Sequence, residues 1–180
     1  MYADNTLTPK EAVRLCALGI LSDGPKAYGD LANEIRYFVS RVTGPSLELM
    51  GESIELLRYE GLVEPAGEEI PEGQDQVLQM TGEGREMLAS LLTADIRAEA
   101  SSLNELVLAL KFRFIHLLPD GERDRQIETV IEACDTELAR LGDLAEGLEG
   151  DGGLLAEWLG HDLERLEKRR RWLVTLKTRG

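Results

Sequence analysis

The chain is short of positive charge, of cysteine and histidine and of long apolar runs, and each shortage counts against a class of function. Lys and Arg number 20 against 34 Asp and Glu, a net charge of −14. Proteins that neutralise phosphates draw much of their affinity from Lys and Arg, so an acidic chain starts with a handicap as a DNA binder, although local patches can differ from the overall balance. The two cysteines, Cys16 and Cys134, lie far apart in apolar helical patterns with no CxxC or Cys/His spacing, which reads as two small buried hydrophobes and not as redox or metal groups. The two histidines, His116 and His161, belong to separate helical patterns, and no Cys, Asp or Glu at helical spacing makes a convincing ligand set around both, so neither a metal nor any other cofactor is expected. No run approaches the roughly 18 uninterrupted apolar residues of a membrane span. The opening MYADNTLTPKEAVR lacks the basic-then-apolar order of a signal peptide, and a cytoplasmic protein with no membrane partner is expected.

Catalytic signatures are also missing. No Ser, Cys or Lys nucleophile is flanked by a recognisable base, and no glycine-rich dinucleotide fingerprint follows a strand. Asp120-Gly121-Glu122 and Gly150-Asp151-Gly152-Gly153 lack the downstream ligands of a calcium loop and the Gly-Lys pair of a phosphate loop, and read as turns between helices. An enzyme is not expected.

What remains is a chain of 180 residues with 43% hydrophobic content, enough for one mid-sized domain or two small ones. Thr8-Pro9 with Glu11 forms a capping box, and a helix is predicted over 9–21 with Val13, Cys16, Ala17, Ile20 and Leu21 on one buried face. Ser22-Asp23-Gly24-Pro25 breaks it. A second helix follows over 28–39 through Leu31, Ile35, Phe38 and Val39, and a third opens at Ser46, buries Leu47, Met50, Ile54 and Leu57, and closes at Gly61. Leu62-Val63 and 76–80 read as two short strands around an acidic loop, a hairpin. From Thr81 the helical period resumes and continues with interruptions to about Leu118. Two more helices are predicted over 122–147 and 154–177, separated by a glycine-rich loop. The last three helices are expected to stack antiparallel with apolar surface left over for a second copy of the chain.

Three stretches resemble the PadR family of transcriptional regulators. Lys26-Ala27-Tyr28-Gly29-Asp30-Leu31 is similar to the opening of that family's second helix. Leu56 to Glu64 is similar to its passage from recognition helix to first wing strand, and Leu78-Gln79-Met80-Thr81-Gly82-Glu83-Gly84-Arg85 to its threonine-x-x-glycine signature between wing and helix. Phe112 to Pro119, Glu137 to Leu141 and Leu163 to Leu173 resemble its helical effector and dimerisation region. The resemblance implies a mainly α fold with a small β-hairpin: a winged helix-turn-helix domain over 1–92, then a three-helix dimerisation region over 93–180. It implies a homodimer that binds double-stranded operator DNA and usually represses, with a small-molecule effector or another protein altering the dimer.

On that footing Lys26, Tyr28, Arg41, Ser46, Glu48, Glu52 and Glu55 are the candidate DNA-facing residues, and Phe112, Phe114, Leu117, Trp158 and Trp172 the candidate dimer or effector residues. For Trp158 and Trp172 plain packing stands beside ligand stacking as a reading. The basic run Lys168 to Arg171 is expected to pair with Glu164 or Glu167 and to match the dipole of its helix. The third helix departs from the family's pattern, with Leu49 and Gly51 where the threonine and tyrosine of its opening would stand. Residues 1–92 hold 7 basic against 16 acidic side chains, among them Glu64, Glu68, Glu69, Glu72 and Asp75 of the wing. An acidic winged helix that binds protein instead of DNA is the alternative.

Overall fold

The structure, a computed structural model, describes residues 6–43, 51–67, 75–96, 101–147 and 154–178, with backbone alone at 51–53. The chain folds into two compact units, Met1–Asp95 with Ser101–Leu118 and Ile96–Ala100 with Pro119–Gly180.

The first unit is a winged helix built around α1 (Pro9–Leu21), which starts as the sequence predicts: Thr8 accepts from the Glu11 amide while the Glu11 carboxylate accepts from the Thr8 amide at 2.8 Å. Its burial is wider than one face. Ala12, Leu15, Leu18 and Gly19 are enclosed as well as Val13, Cys16, Ala17, Ile20 and Leu21, because α1 packs against helices on more than one side. A helix apolar nearly all round belongs inside.

A two-residue strand β1 (Lys26–Ala27) leads into α2 (Tyr28–Thr43), and α3 (Gly51–Tyr59) is followed by the wing strands β2 (Val63–Pro65) and β3 (Val77–Met80). The sheet has the order β1-β3-β2, all antiparallel, with Lys26 opposite Leu78 and Val63 opposite Met80. The predicted hairpin is therefore the larger part of a three-stranded sheet, whose third strand is the stretch read as the opening of the second helix. The start expected at Ser46 lies outside the described residues.

Two motifs of the resemblance have a physical explanation here. Gly61, at φ +73°, ends α3 in the left-handed region, where its amide reaches the Arg58 carbonyl and the Leu62 amide the Leu57 carbonyl, a Schellman closure. Thr81 then binds this exit to α4 (Gly82–Thr93). Its hydroxyl donates to the Gly61 carbonyl at 2.8 Å and accepts from the Gly84 amide at 3.0 Å. A Cβ on Gly84 would collide with the Leu62 carbonyl oxygen, so the threonine-x-x-glycine spacing is a steric and capping requirement.

The long interrupted helix expected from Thr81 to Leu118 is two helices. α4 stops at Thr93, where Ala94 turns to φ −59°, ψ 151°, and α5 (Ser102–Phe114) restarts on the Ser101 cap and runs into a 3₁₀ turn at Ile115–Leu117. The buried Lys111 ammonium donates to the Leu92 and Ala94 carbonyls, at 2.7 and 2.5 Å, and so satisfies the open end of α4 with a cation where the helix dipole favours one. α5 packs on α1 and α2, with Leu106, Val107, Leu110 and Phe114 in the same core as α1. Packing thus joins α5 to the winged helix, beyond the division expected at residue 92.

The second unit pairs α6 (Asp120–Gly147) with α7 (Leu155–Lys177). Arg170 bonds Asp135 and Lys177 bonds Glu128, so the register runs antiparallel. α7 buries Leu159, Leu166 and Leu173, a seven-residue repeat that α6 answers with Ile127, Cys134 and Leu141, as in a coiled coil. Two helices take the place of the expected three, since the first of them is consumed by the other unit.

Candidate nucleic-acid interface

The face that a winged helix offers to DNA comprises the recognition helix, the wing and the helix before them. On α3, Ile54 and Leu57 are buried at 1% exposure each, which turns Glu55, Leu56, Tyr59 and Glu60 outward. Glu55 is paired with Arg58 at 3.5 Å and Glu60 with Arg14 of α1 at 2.8 Å. Ser46 and Glu48 lie outside the described residues, as does the loop over 68–74. Glu52 is placed in α3 by its backbone only.

Lys26 and Tyr28 are turned partly inward. Lys26 bonds Glu34 of α2 at 2.6 Å, and Arg113 of α5 bonds the same carboxylate at 2.7 Å. The Lys26 hydrogen bond, helped by Arg113 and opposed by partial burial, holds the Glu34 carboxyl below its ordinary range. The Arg113 guanidinium also lies over the rings of Phe38 and Phe114, at 4.8 and 5.1 Å. Tyr28 is half-buried against the core. Burial pushes its hydroxyl pKa up and the Glu55 charge adds to that shift, with Arg58 opposing.

The start of α2 already holds an anion. The Gly29 amide donates to the Asp75 carboxylate at 2.8 Å, and the Tyr28 amide to the Gln76 carbonyl at 2.8 Å. A helix N-terminus favours a negative group, and here the returning arm of the wing supplies it.

Positive charge free of carboxylates is found on the outward face of α2. Asn33, Arg36, Tyr37, Ser40 and Arg41 are all exposed there. The Arg36 guanidinium donates to the Asn33 side chain at 2.9 Å, and the Arg41 guanidinium lies 5.2 Å from the centre of the Tyr37 ring. Neither arginine has an acidic partner among the described residues. Two guanidinium groups beside an exposed phenol can grip phosphates.

The other candidates separate by unit. Phe114 is buried at 3% in the core of the first unit, where its ring fills the space that a Cβ on Gly19 would need. Phe112 is half-buried and Leu117 is 38% exposed. Trp158 and Trp172 stand on α7, about four turns apart and therefore near one face, with 58% and 49% of their surface exposed. Within the basic run, Arg171 pairs with Glu167 and Arg170 with Asp135 of α6. Only the first follows the expected spacing within one helix. Cys16 is fully buried, and that burial pushes its thiol up to about 12. Among the described residues no group of His, Cys, Asp or Glu is disposed to hold a metal ion, and no helix is long and apolar enough to cross a membrane.

The family described as AphA-like transcriptional regulators matches residues 2–177. The chain belongs to that family. Its members are transcriptional regulators and not enzymes. No curated protein matches the chain. Among solved structures it is similar to smu.1604c of Streptococcus mutans, at 19% identity over 94% of this chain and 98% of the other, with a TM-score of 0.40. Bacillus subtilis PadR in complex with operator DNA is 16% identical over 96% of this chain and 100% of the other, with a TM-score of 0.41. The same PadR in complex with p-coumaric acid is 17% identical over 96% and 97%, with a TM-score of 0.40.

In this AphA-like regulator the candidate residues read from the sequence include Arg41 but not Arg36 or Tyr37, which α2 exposes on the same side. The signal was present in the four-residue spacing of Tyr37 and Arg41, which places both on one helix face.

Proposed function

We propose that this regulator represses transcription in the cytoplasm by binding operator DNA as a homodimer, with the outward face of α2 gripping phosphates and α3 set against the base edges. The observation that carries this reading is the Arg36, Tyr37 and Arg41 cluster, an exposed patch of the winged helix whose guanidinium groups have no carboxylate partner among the described residues. Glu55 on the exposed face of α3 can accept from a cytosine amino group, a chemistry open to glutamate in the major groove. The helical region that follows, α7 above all, supports pairing of two copies, because Trp158, Trp172, Leu155 and Val174 are each more than 40% exposed on it. Aromatic side chains of that size are typical anchors of protein interfaces. Repression is the outcome that the PadR-like motifs imply.

The test is a salt titration of binding to the DNA upstream of the protein's own gene, beside a random duplex of equal length. Tighter binding to the upstream duplex is expected. The Arg36→Ala/Arg41→Ala variant should flatten the plot of log affinity against log salt by about 2, one phosphate contact per arginine. No binding to either duplex at about 50 mM salt, where phosphate contacts are strong, would reject this reading. It would favour an acidic winged helix that engages another protein, a reading supported by Asp75 at the start of α2, by the outward Glu55 of α3 and by Glu60 just after it.

A further inference from the structure

Where α1 ends, the chain turns away through Gly24, whose φ of +132° suits glycine alone. The departure leaves a cavity of about 430 Å³ inside the first unit, between the end of α1, β3, α4 and the 3₁₀ turn. That volume lies within the range of small-molecule sites. Leu21, Met80, Leu88, Leu92 and Leu118 give it an apolar wall. Ser22 and Gln79 also line it, but the Ser22 hydroxyl donates to the Gly19 carbonyl at 2.6 Å and the Gln79 amide to Glu64 at 3.0 Å. Arg85 is the charged side chain of the lining. Its one hydrogen bond is a 3.5 Å contact to the Met80 carbonyl, and it has no ion pair among the described residues. In a chain of net charge −14, a cavity lined by an arginine and by no carboxylate is chemically selective.

We propose that this cavity binds an amphipathic organic anion, whose carboxylate pairs with Arg85 and whose apolar body lies against the leucines. At roughly 30 Å³ per non-hydrogen atom, the share a water molecule takes in the liquid, the space admits on the order of ten to fifteen such atoms. The ligand would touch Gln79 and Met80, both in the strand that carries the wing. Binding itself does not depend on the operator reading, although any effect of the ligand on DNA affinity rests on it.

Met80 is one of four methionines in the chain and lines the cavity, so the full-length protein labelled with ¹³C at the methionine methyls reports occupancy directly. Octanoate is the probe and octanol its uncharged control, both without DNA. Octanoate should move the Met80 resonance saturably. Arg85→Ala should weaken octanoate about fivefold, the range of a single exposed charge pair, and change octanol by less than about twofold. Ala89→Trp, at an exposed position on the rim, should abolish the Met80 response while the other methionine signals show the fold intact. A Met80 signal unmoved at about 10 mM octanoate, far weaker than any ordinary ligand affinity, overturns the proposal. So does an Arg85→Ala variant that binds octanoate as the parent does. Either failure leaves the operator reading untouched, because no DNA is present.

Discussion

Compare α1 with α7. The first is 13 residues long and buries nine of them; the second is 23 residues long and buries three. α1 sits among α2, α3, α4 and α5 in one unit, whereas α7 has a single helical partner in the other. A helix enclosed on all sides contributes to stability through most of its side chains. A helix packed along one seven-residue stripe leaves the rest of its surface for solvent or another molecule. The same contrast appears in the charges. In the winged helix Glu34 draws Lys26 and Arg113 together from separate elements, while in the second unit ion pairs run along α6 and α7 or between them. The first unit encloses its central helix, and the second leaves most of α7 exposed.

The largest test of that contrast is Phe114→Ala. Removing this buried ring from the winged-helix core should cost about 3–5 kcal/mol, read as a lowered thermal midpoint. A loss under about 1 kcal/mol would show that α5 does not belong to this core. Next comes Trp158→Ser/Trp172→Ser. If the exposed face of α7 pairs two copies, the double variant should weaken dimerisation by at least about tenfold in light scattering, the effect of losing interface anchors worth 2 kcal/mol or so, with the thermal midpoint of the first unit unchanged. A variant that assembles like the parent would remove the tryptophans from the interface.

Gly61→Ala isolates backbone strain from packing, since nothing lies within 4 Å of where its Cβ would go. It should cost about 1 kcal/mol by forcing alanine into the left-handed region. The smallest effect concerns Glu34. Its folded-state pKa is lowered, so its stabilising contribution is complete above the ordinary value of 4.5 and is lost as pH falls through the folded-state value. Glu34→Gln should remove that acid limb from the plot of stability against pH. It should cost less than about 1 kcal/mol at neutral pH, because the pair is about one-third exposed. An unchanged acid limb would mean that other carboxylates govern it.

Some elements were fully legible in the residues. The ends of α1 follow from Thr8, Pro9, Glu11 and the Ser22-Asp23-Gly24-Pro25 turn, and the exit of α3 follows from Gly61, because caps and left-handed glycines act within a few residues. The break between α4 and α5 was not legible. It depends on Lys111 reaching back to the carbonyls of Leu92 and Ala94, a contact that no local pattern encodes. β1 was hidden for a similar reason, since two residues become a strand only when β3 is beside them. Among the candidate DNA-facing residues, sequence marked which side chains are basic or aromatic but not which are occupied. Lys26 and Arg41 look alike in the chain. Folding then spends the first on Glu34 and leaves the second over Tyr37.

The sequence by itself determined the caps of α1, the glycine exit of α3, the wing strands and the acidic balance of this regulator, all of which depend on neighbours in the chain or on composition. Only the tertiary structure decided that α5 belongs to the winged helix, that Phe114 is core while Trp158 and Trp172 are half-exposed, and that Arg36, Arg41 and Arg85 have no carboxylate partner among the described residues. Burial and ion pairing are set by residues distant in the chain, and that distance is closed only by folding.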